Sequence, residues 1–160
     1  MSDITQTITP APVRKSVTIR ATPARAFEVF TAGFDRWWPR SHHIGGAELK
    51  QAFIEPRAGG RWYEINSEGA ECDWGRVLAW EPPGRLVLAW QIGADWKYDP
   101  ALVTEVEVTF TDAGGGMTRV DLEHRKLELM GAKAAEARVS FDAPEGWGAI
   151  LGAYVDVAAQ

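Results

Sequence analysis

Residues 13–20, VRKSVTIR, alternate apolar and polar positions with Val13, Val17 and Ile19 on one side, the period-two pattern of a half-buried strand. The period changes at Thr22-Pro23. Threonine makes a good N-cap and proline a good first helical residue, and Ala26, Phe27 and Phe30 then lay an apolar stripe on a helix that Gly33 ends. A second short helical turn carries Phe34, Trp37 and Trp38 and stops at Pro39. Beyond it the pattern is that of strands. They are predicted at 51–56, 60–67, 71–80 and 85–92, separated by Gly59-Gly60, Glu68-Gly69 and Pro82-Pro83-Gly84. In RLVLAWQI, Leu86, Leu88 and Trp90 share a face. A longer hairpin follows, with Val106, Val108 and Phe110 on one side and Gly114 to Gly116 as its turn. Its return strand points Thr118, Val120, Leu122 and His124 inward, and Arg119, Asp121, Glu123 and Arg125 outward. An antiparallel sheet with one apolar face needs a cover.

The C-terminal segment supplies one. Trp147, Ile150, Leu151, Tyr154, Val155 and Ala158 recur at helical spacing. They predict a helix of about 16 residues, roughly 24 Å long. Asp142 and Glu145 flank Pro144 in the manner of a capping box. A short helix at 131–138 leads into it. Gly146, Gly148 and Gly152 each weaken the long helix by about 1 kcal/mol relative to alanine, which fits a backbone that must approach something closely or a helix that moves.

Composition narrows the class. At 160 residues the chain suits a single domain, 13–160, preceded by a Thr/Pro-rich lead-in at 1–12. A formal net charge of −5 argues against a nucleic-acid-binding face. One cysteine, Cys72, makes no internal disulfide, no apolar run is long enough to span a membrane, and Asp3 stands where a signal peptide is basic. The cytoplasm is the default compartment. The eight tryptophans, at 37, 38, 62, 74, 80, 90, 96 and 147, are the unusual feature. They suit either a Trp-rich core or the walls of a ligand cavity, and the two overlap.

Strand, two small helices, a run of antiparallel strands and a long last helix resembles the helix-grip, START-like (SRPBCC) superfamily. Local motifs are similar to those of the activator of heat-shock-protein-90 ATPase homologue-like family. They are Trp37-Trp38-Pro39, Glu55-Pro56-Arg57-Ala58-Gly59-Gly60-Arg61-Trp62, Gly75-Arg76-Val77, and Glu81-Pro82-Pro83-Gly84-Arg85-Leu86 running into Trp90. His124 ending a strand and Gly146-Trp147 opening the last helix complete them. The resemblance spans residues 13–158 and implies an α+β fold in which a curved antiparallel sheet wraps a long C-terminal helix around a cavity. Its shared theme is the binding of small apolar or aromatic molecules, with catalysis in some branches. No motif here carries the chaperone-binding residues of the co-chaperone that names the family, and fold alone does not assign function.

The candidate chemistry is sparse. Adjacent His42 and His43 diverge on a loop and lack the spacing of a metal site; they read as a solvated lid over a cavity into which Trp38 points, with Trp37 packing or covering the rim. His124 reads either as a sheet-edge histidine bonded to a carbonyl or as a polar anchor in the cavity wall. Cys72 has no activating neighbour. Ser41 has no acid in view to complete a triad, and Arg57 and Arg61 flank a hairpin turn rather than a phosphate loop. The expected ligand-binding set is Trp38, Trp62, Trp90, Trp147 and Tyr154 as aromatic walls, with Arg61 and His124 as polar anchors. No cofactor, metal or catalytic residue is assigned. The alternatives are a cyclase-, hydrolase- or isomerase-like enzyme using His124 or Glu64, and a chaperone-interaction module. A homodimer is compatible with the size, although no self-complementary surface is legible.

Overall fold

In the computed structural model, which describes residues 11–158, the chain forms one seven-stranded antiparallel sheet with helices on its concave side. Most of the 1–12 lead-in lies outside the described residues. The strands are β1 (Val13–Ile19), β2 (Leu49–Ile54), β3 (Arg61–Asn66), β4 (Glu71–Glu81), β5 (Arg85–Trp90), β6 (Thr104–Gly114) and β7 (Met117–Arg125), in spatial order β1-β7-β6-β5-β4-β3-β2. Helices α1 (Pro23–Thr31) and α2 (Phe34–Trp37) follow β1, and the Thr22 hydroxyl caps α1 by accepting from the Arg25 N–H. The chain returns under the sheet through a 3₁₀ segment (Leu127–Lys133), α3 (Ala134–Asp142), an irregular turn (Pro144–Gly148) and α4 (Ala149–Ala158).

Alternation places the hairpin as its pattern predicts. Val106, Val108, Val120, Leu122 and His124 are buried between sheet and helices. On the outer face, Arg85 pairs with Glu107, and Arg125 and Lys126 with Glu105. Partial burial alone would raise the Glu105 carboxyl, but Lys126 and Arg125 hold it below its ordinary range.

Strict alternation would put neighbouring strand residues on opposite faces, and β4 departs from it. Trp62 pairs with Gly75 and Tyr63 with Asp73, so Trp74 is an extra residue in a β-bulge. The bulge turns Trp74 inward beside Trp62, and both rings are buried. It also brings Gly75 against β5, where an added Cβ would lie 1.7 Å from the Ala89 carbonyl oxygen. No side chain fits there.

The C-terminal helix differs from its sequence pattern. Instead of one helix of about 16 residues, α3 ends at Asp142, the backbone breaks at Gly146 (φ −85°, ψ −133°), and α4 begins at Ala149. At Gly146 a Cβ would stand 2.4 Å from the Phe141 carbonyl oxygen, so the break presses the turn onto the end of α3. Asp142 caps nothing; the residue before the turn is Ala143 and makes no side-chain cap, while Asp142 pairs with Lys15 at 2.8 Å. Helical periodicity continues across the break, which is why the pattern alone shows a single helix.

Replacing Gly75 by alanine is expected to destabilise the protein by more than about 2 kcal/mol, because backbone must move on both strands. Gly84→Ala, where no atom lies within 4 Å of the added carbon, is the control and should change the urea midpoint little.

Candidate ligand cavity

The break in the C-terminal segment opens a space between α3, the Pro144–Gly148 turn, the loop after α2 and strands β4 and β5. The space is a cavity of about 550 Å³, within the range of small-molecule sites. Its walls are Trp38, Trp74, Trp90 and Trp147, closed below by Phe141 and Ile150. The rings brace each other: Trp38 lies 5.1 Å from Trp74 and 6.2 Å from Trp147, and Trp90 lies 5.7 Å from Trp147. Trp96 and Val139 stand at the edge, 52% and 68% exposed, so the cavity meets solvent there. Trp96 holds a φ of +62°, uncommon for so bulky a residue.

Each buried indole brings an N–H that needs an acceptor. For the four walls the protein supplies all of them. The Trp38 N–H donates to the His42 carbonyl (2.7 Å), Trp74 to Glu64 Oε1 (2.8 Å), Trp90 to the Ile92 carbonyl (3.0 Å) and Trp147 to His124 Nδ1 (3.1 Å). The walls therefore offer a ligand rings but no donors.

Two of those acceptors are the buried polar side chains that sequence singles out for chemistry. Glu64 is fully buried on β3 and receives, besides Trp74, the N–H groups of Ile44 (2.7 Å) and Gly45 (3.3 Å). Its carboxylate straps the loop after α2 to the sheet. Cys72 lies beside it, and burial, then the charge of Glu64, pushes its thiol pKa up, away from the reactive thiolate.

His124 is equally buried. Its Nδ1 accepts from Trp147, so the proton of the neutral ring sits on Nε2, which donates to Thr104 Oγ1 at 2.9 Å; that hydroxyl in turn donates to the Trp90 carbonyl at 2.8 Å. The chain of three bonds runs one way and leaves no member free. Burial pushes the His124 pKa down to about 3. A neutral imidazole with both nitrogens engaged is a structural link between β7, β6 and the last turn, not a base facing a ligand.

Polar groups gather instead at the mouth. Ser41, His42, His43, Ser140 and Glu145 line it. His42 Nε2 lies 2.9 Å from the Glu145 carbonyl, which can only accept, so Nε2 is the protonated nitrogen; Nδ1, 2.9 Å from Ser41 Oγ, then accepts from the hydroxyl. His43 Nδ1 donates to the Gly45 carbonyl at 3.0 Å. Among the described residues no group of three His, Cys, Asp or Glu side chains is arranged to hold a metal.

Of the residues predicted from sequence, Trp38, Trp90 and Trp147 line the cavity together. Trp62 is buried behind them, against Trp74 and Trp90. Tyr154 sits in the core on the far side of α4, its hydroxyl donating to the Ala26 carbonyl of α1, and burial raises its pKa. Arg61 is not in the cavity: alternation with Trp62 sends it to the outer face, where it pairs with Asp73 and Glu71 and lies 3.9 Å over Tyr63. His124 stands behind Trp90 and Trp147 rather than in the wall. Trp37 belongs to the core, its N–H bonded to the Val29 carbonyl. His42 and His43, set aside as solvated lid, are part of the mouth. Trp74 and Phe141 also join the site, the first through a bulge that strand alternation does not reveal, the second through the end of α3.

A curled sheet gripping a C-terminal helix, with an aromatic cavity open at one end, defines a helix-grip protein of the START-like class. The chain belongs to the family described as activator of Hsp90 ATPase homolog 1-like protein, whose profile matches residues 20–156. No curated protein sequence matches it. Among solved structures, the anthrahydroquino-γ-pyrone synthase Txn09 shares 39% identity, covering 93% of this chain and 97% of that one, with a TM-score of 0.65. The self-sacrificing resistance protein CalC from Micromonospora echinospora shares 37% identity over 92% and 93%, with a TM-score of 0.67. The Aha1 dimer from Colwellia psychrerythraea matches 94% and 97% of the two chains at 15% identity, with a TM-score of 0.60, a likeness of fold. Among the described residues no helix is long and apolar enough to cross a membrane.

Two predictions follow from the buried acceptors. Between about pH 6.5 and about pH 3 the unfolded chain protonates His124 while the native state does not. Its contribution therefore lowers stability as pH falls, at roughly 1.4 kcal/mol per pH unit near the middle of that window. Urea unfolding at a series of pH values should show this slope and His124→Gln should lack it, while the native imidazole signals of His124 stay those of the neutral ring at pH 5. Glu64→Ala removes the strap, so hydrogen exchange at the Ile44 and Gly45 amides should accelerate by about tenfold or more.

Proposed function

We propose that the protein binds a small, planar aromatic or otherwise apolar molecule in the cavity between the sheet and the C-terminal segment. The observation that carries this reading is the wall itself. Four tryptophans enclose about 550 Å³ with every indole N–H already satisfied, a surface suited to stacking and to little else. A relative at 39% identity, named as an anthrahydroquino-γ-pyrone synthase, supports it.

An enzymatic role is the second reading, favoured by the Ser41 and His42 pair at the mouth and by the relative named as a synthase. It does not run through Glu64 or His124, whose bonds are committed to the structure. The chaperone reading has support only from the family description and from fold likeness at 15% identity.

Titration of the protein with planar polycyclic aromatics, read by tryptophan fluorescence and by native mass spectrometry, tests the proposal. Saturable quenching with a one-to-one complex is expected. Val139→Trp, at an exposed position of the rim, should weaken binding about tenfold or more while leaving the thermal midpoint near that of the parent. Absence of quenching across hydrocarbons, quinones and phenols would overturn the reading.

A further inference from the structure

We infer that the mouth of the cavity is a hydroxyl-recognising subsite in which His43 Nε2 accepts a hydrogen bond from an aromatic alcohol, a phenol or hydroquinone, whose rings lie against the tryptophan walls. The inference rests on the cavity being a ligand site and goes on to the chemistry of the ligand.

The walls cannot select polar groups, because their four N–H donors are taken. Selection therefore falls to the mouth, where the tautomers are set by the backbone. His43 Nδ1 faces the Gly45 carbonyl, so it carries the proton, and the neutral ring keeps a lone pair on Nε2. That nitrogen has no partner among the described residues. The loop is held in this geometry from below, since Glu64 is buried and takes the N–H groups of Ile44 and Gly45, the two residues that follow His43.

The neighbouring groups define what His43 can accept. His42 is oriented the opposite way, donating to the Glu145 carbonyl and accepting from Ser41, so its bonds are closed within the protein. Among the described residues Glu145 is the only carboxylate lining the cavity, and no lysine or arginine lines it. An anionic ligand finds no countercharge and meets a like charge. A neutral hydroxyl finds an acceptor. A phenol in water titrates near pH 10, well above imidazole, so it donates to His43 while keeping its proton. The bond is a recognition contact, and no proton transfer is required.

Three probes that share one ring system separate these terms: 2-naphthol, 2-methoxynaphthalene and 2-naphthoate, titrated at pH 7.5 by fluorescence. We expect 2-naphthol to bind about two- to tenfold more tightly than the methyl ether, as one hydrogen bond warrants, and the carboxylate to bind weakest. His43→Phe, on a partly exposed loop, should erase the difference between naphthol and ether while both still bind. Val139→Trp should weaken naphthol and ether alike. Equal affinity for naphthol and ether in the parent protein, or a difference that survives in His43→Phe, would overturn the hydroxyl subsite and leave the cavity reading standing. If none of the three probes binds, the cavity reading falls and the subsite with it.

Discussion

An indole is a large apolar body with a single N–H, and a protein that buries six of them must find acceptors inside its own core. That constraint organises this molecule. Five of the six buried tryptophans donate to a defined partner, three to main-chain carbonyls and two to side chains. The two side-chain acceptors, Glu64 and His124, are among the few polar groups that the sheet buries. Losing the Trp74 or Trp147 N–H would leave one acceptor position of a buried carboxylate or imidazole unpaired, at about 1–3 kcal/mol each. The indoles and the buried polar groups therefore depend on one another.

The same pairing divides the cavity into two chemistries. Polar atoms of the walls turn away from the cavity into the protein, so the interior is a set of rings braced against rings. Polar atoms of the mouth sit on the loop after α2, on the end of α3 at Ser140 and on the turn at Gly146. Glu64 links the two, since one carboxylate holds a wall residue, Trp74, and the loop that carries His42 and His43. A change at Glu64 would reach the wall and the mouth together.

Membership of a family named for a chaperone activator fixes an architecture rather than a partner. The cavity of this chain is lined by four tryptophans, with His42, His43 and Glu145 at the opening. The relatives that match it at 37% and 39% identity are named as a resistance protein and a synthase.

The sequence by itself determined the order of elements, the inward face of the β6–β7 hairpin and the presence of an aromatic interior, because alternation and helical spacing are local properties of the chain. Trp38, Trp90 and Trp147 were legible as walls for that reason. Only the tertiary structure decided the rest. A bulge, set by pairing between distant strands, turned Trp74 inward. A break at Gly146, which lies too close to the end of α3 for any side chain, divided the last helix beside the cavity. The partners were also decided there: Asp73 and Glu71 hold Arg61 on the face to which alternation sends it, and Trp147 donates to His124 behind the wall. His42 and His43 joined the mouth through bonds to the Glu145 and Gly45 carbonyls, one of which comes from residues 103 positions away. Which way a polar side chain points is settled by the partner that satisfies it, and that partner is seldom near in sequence.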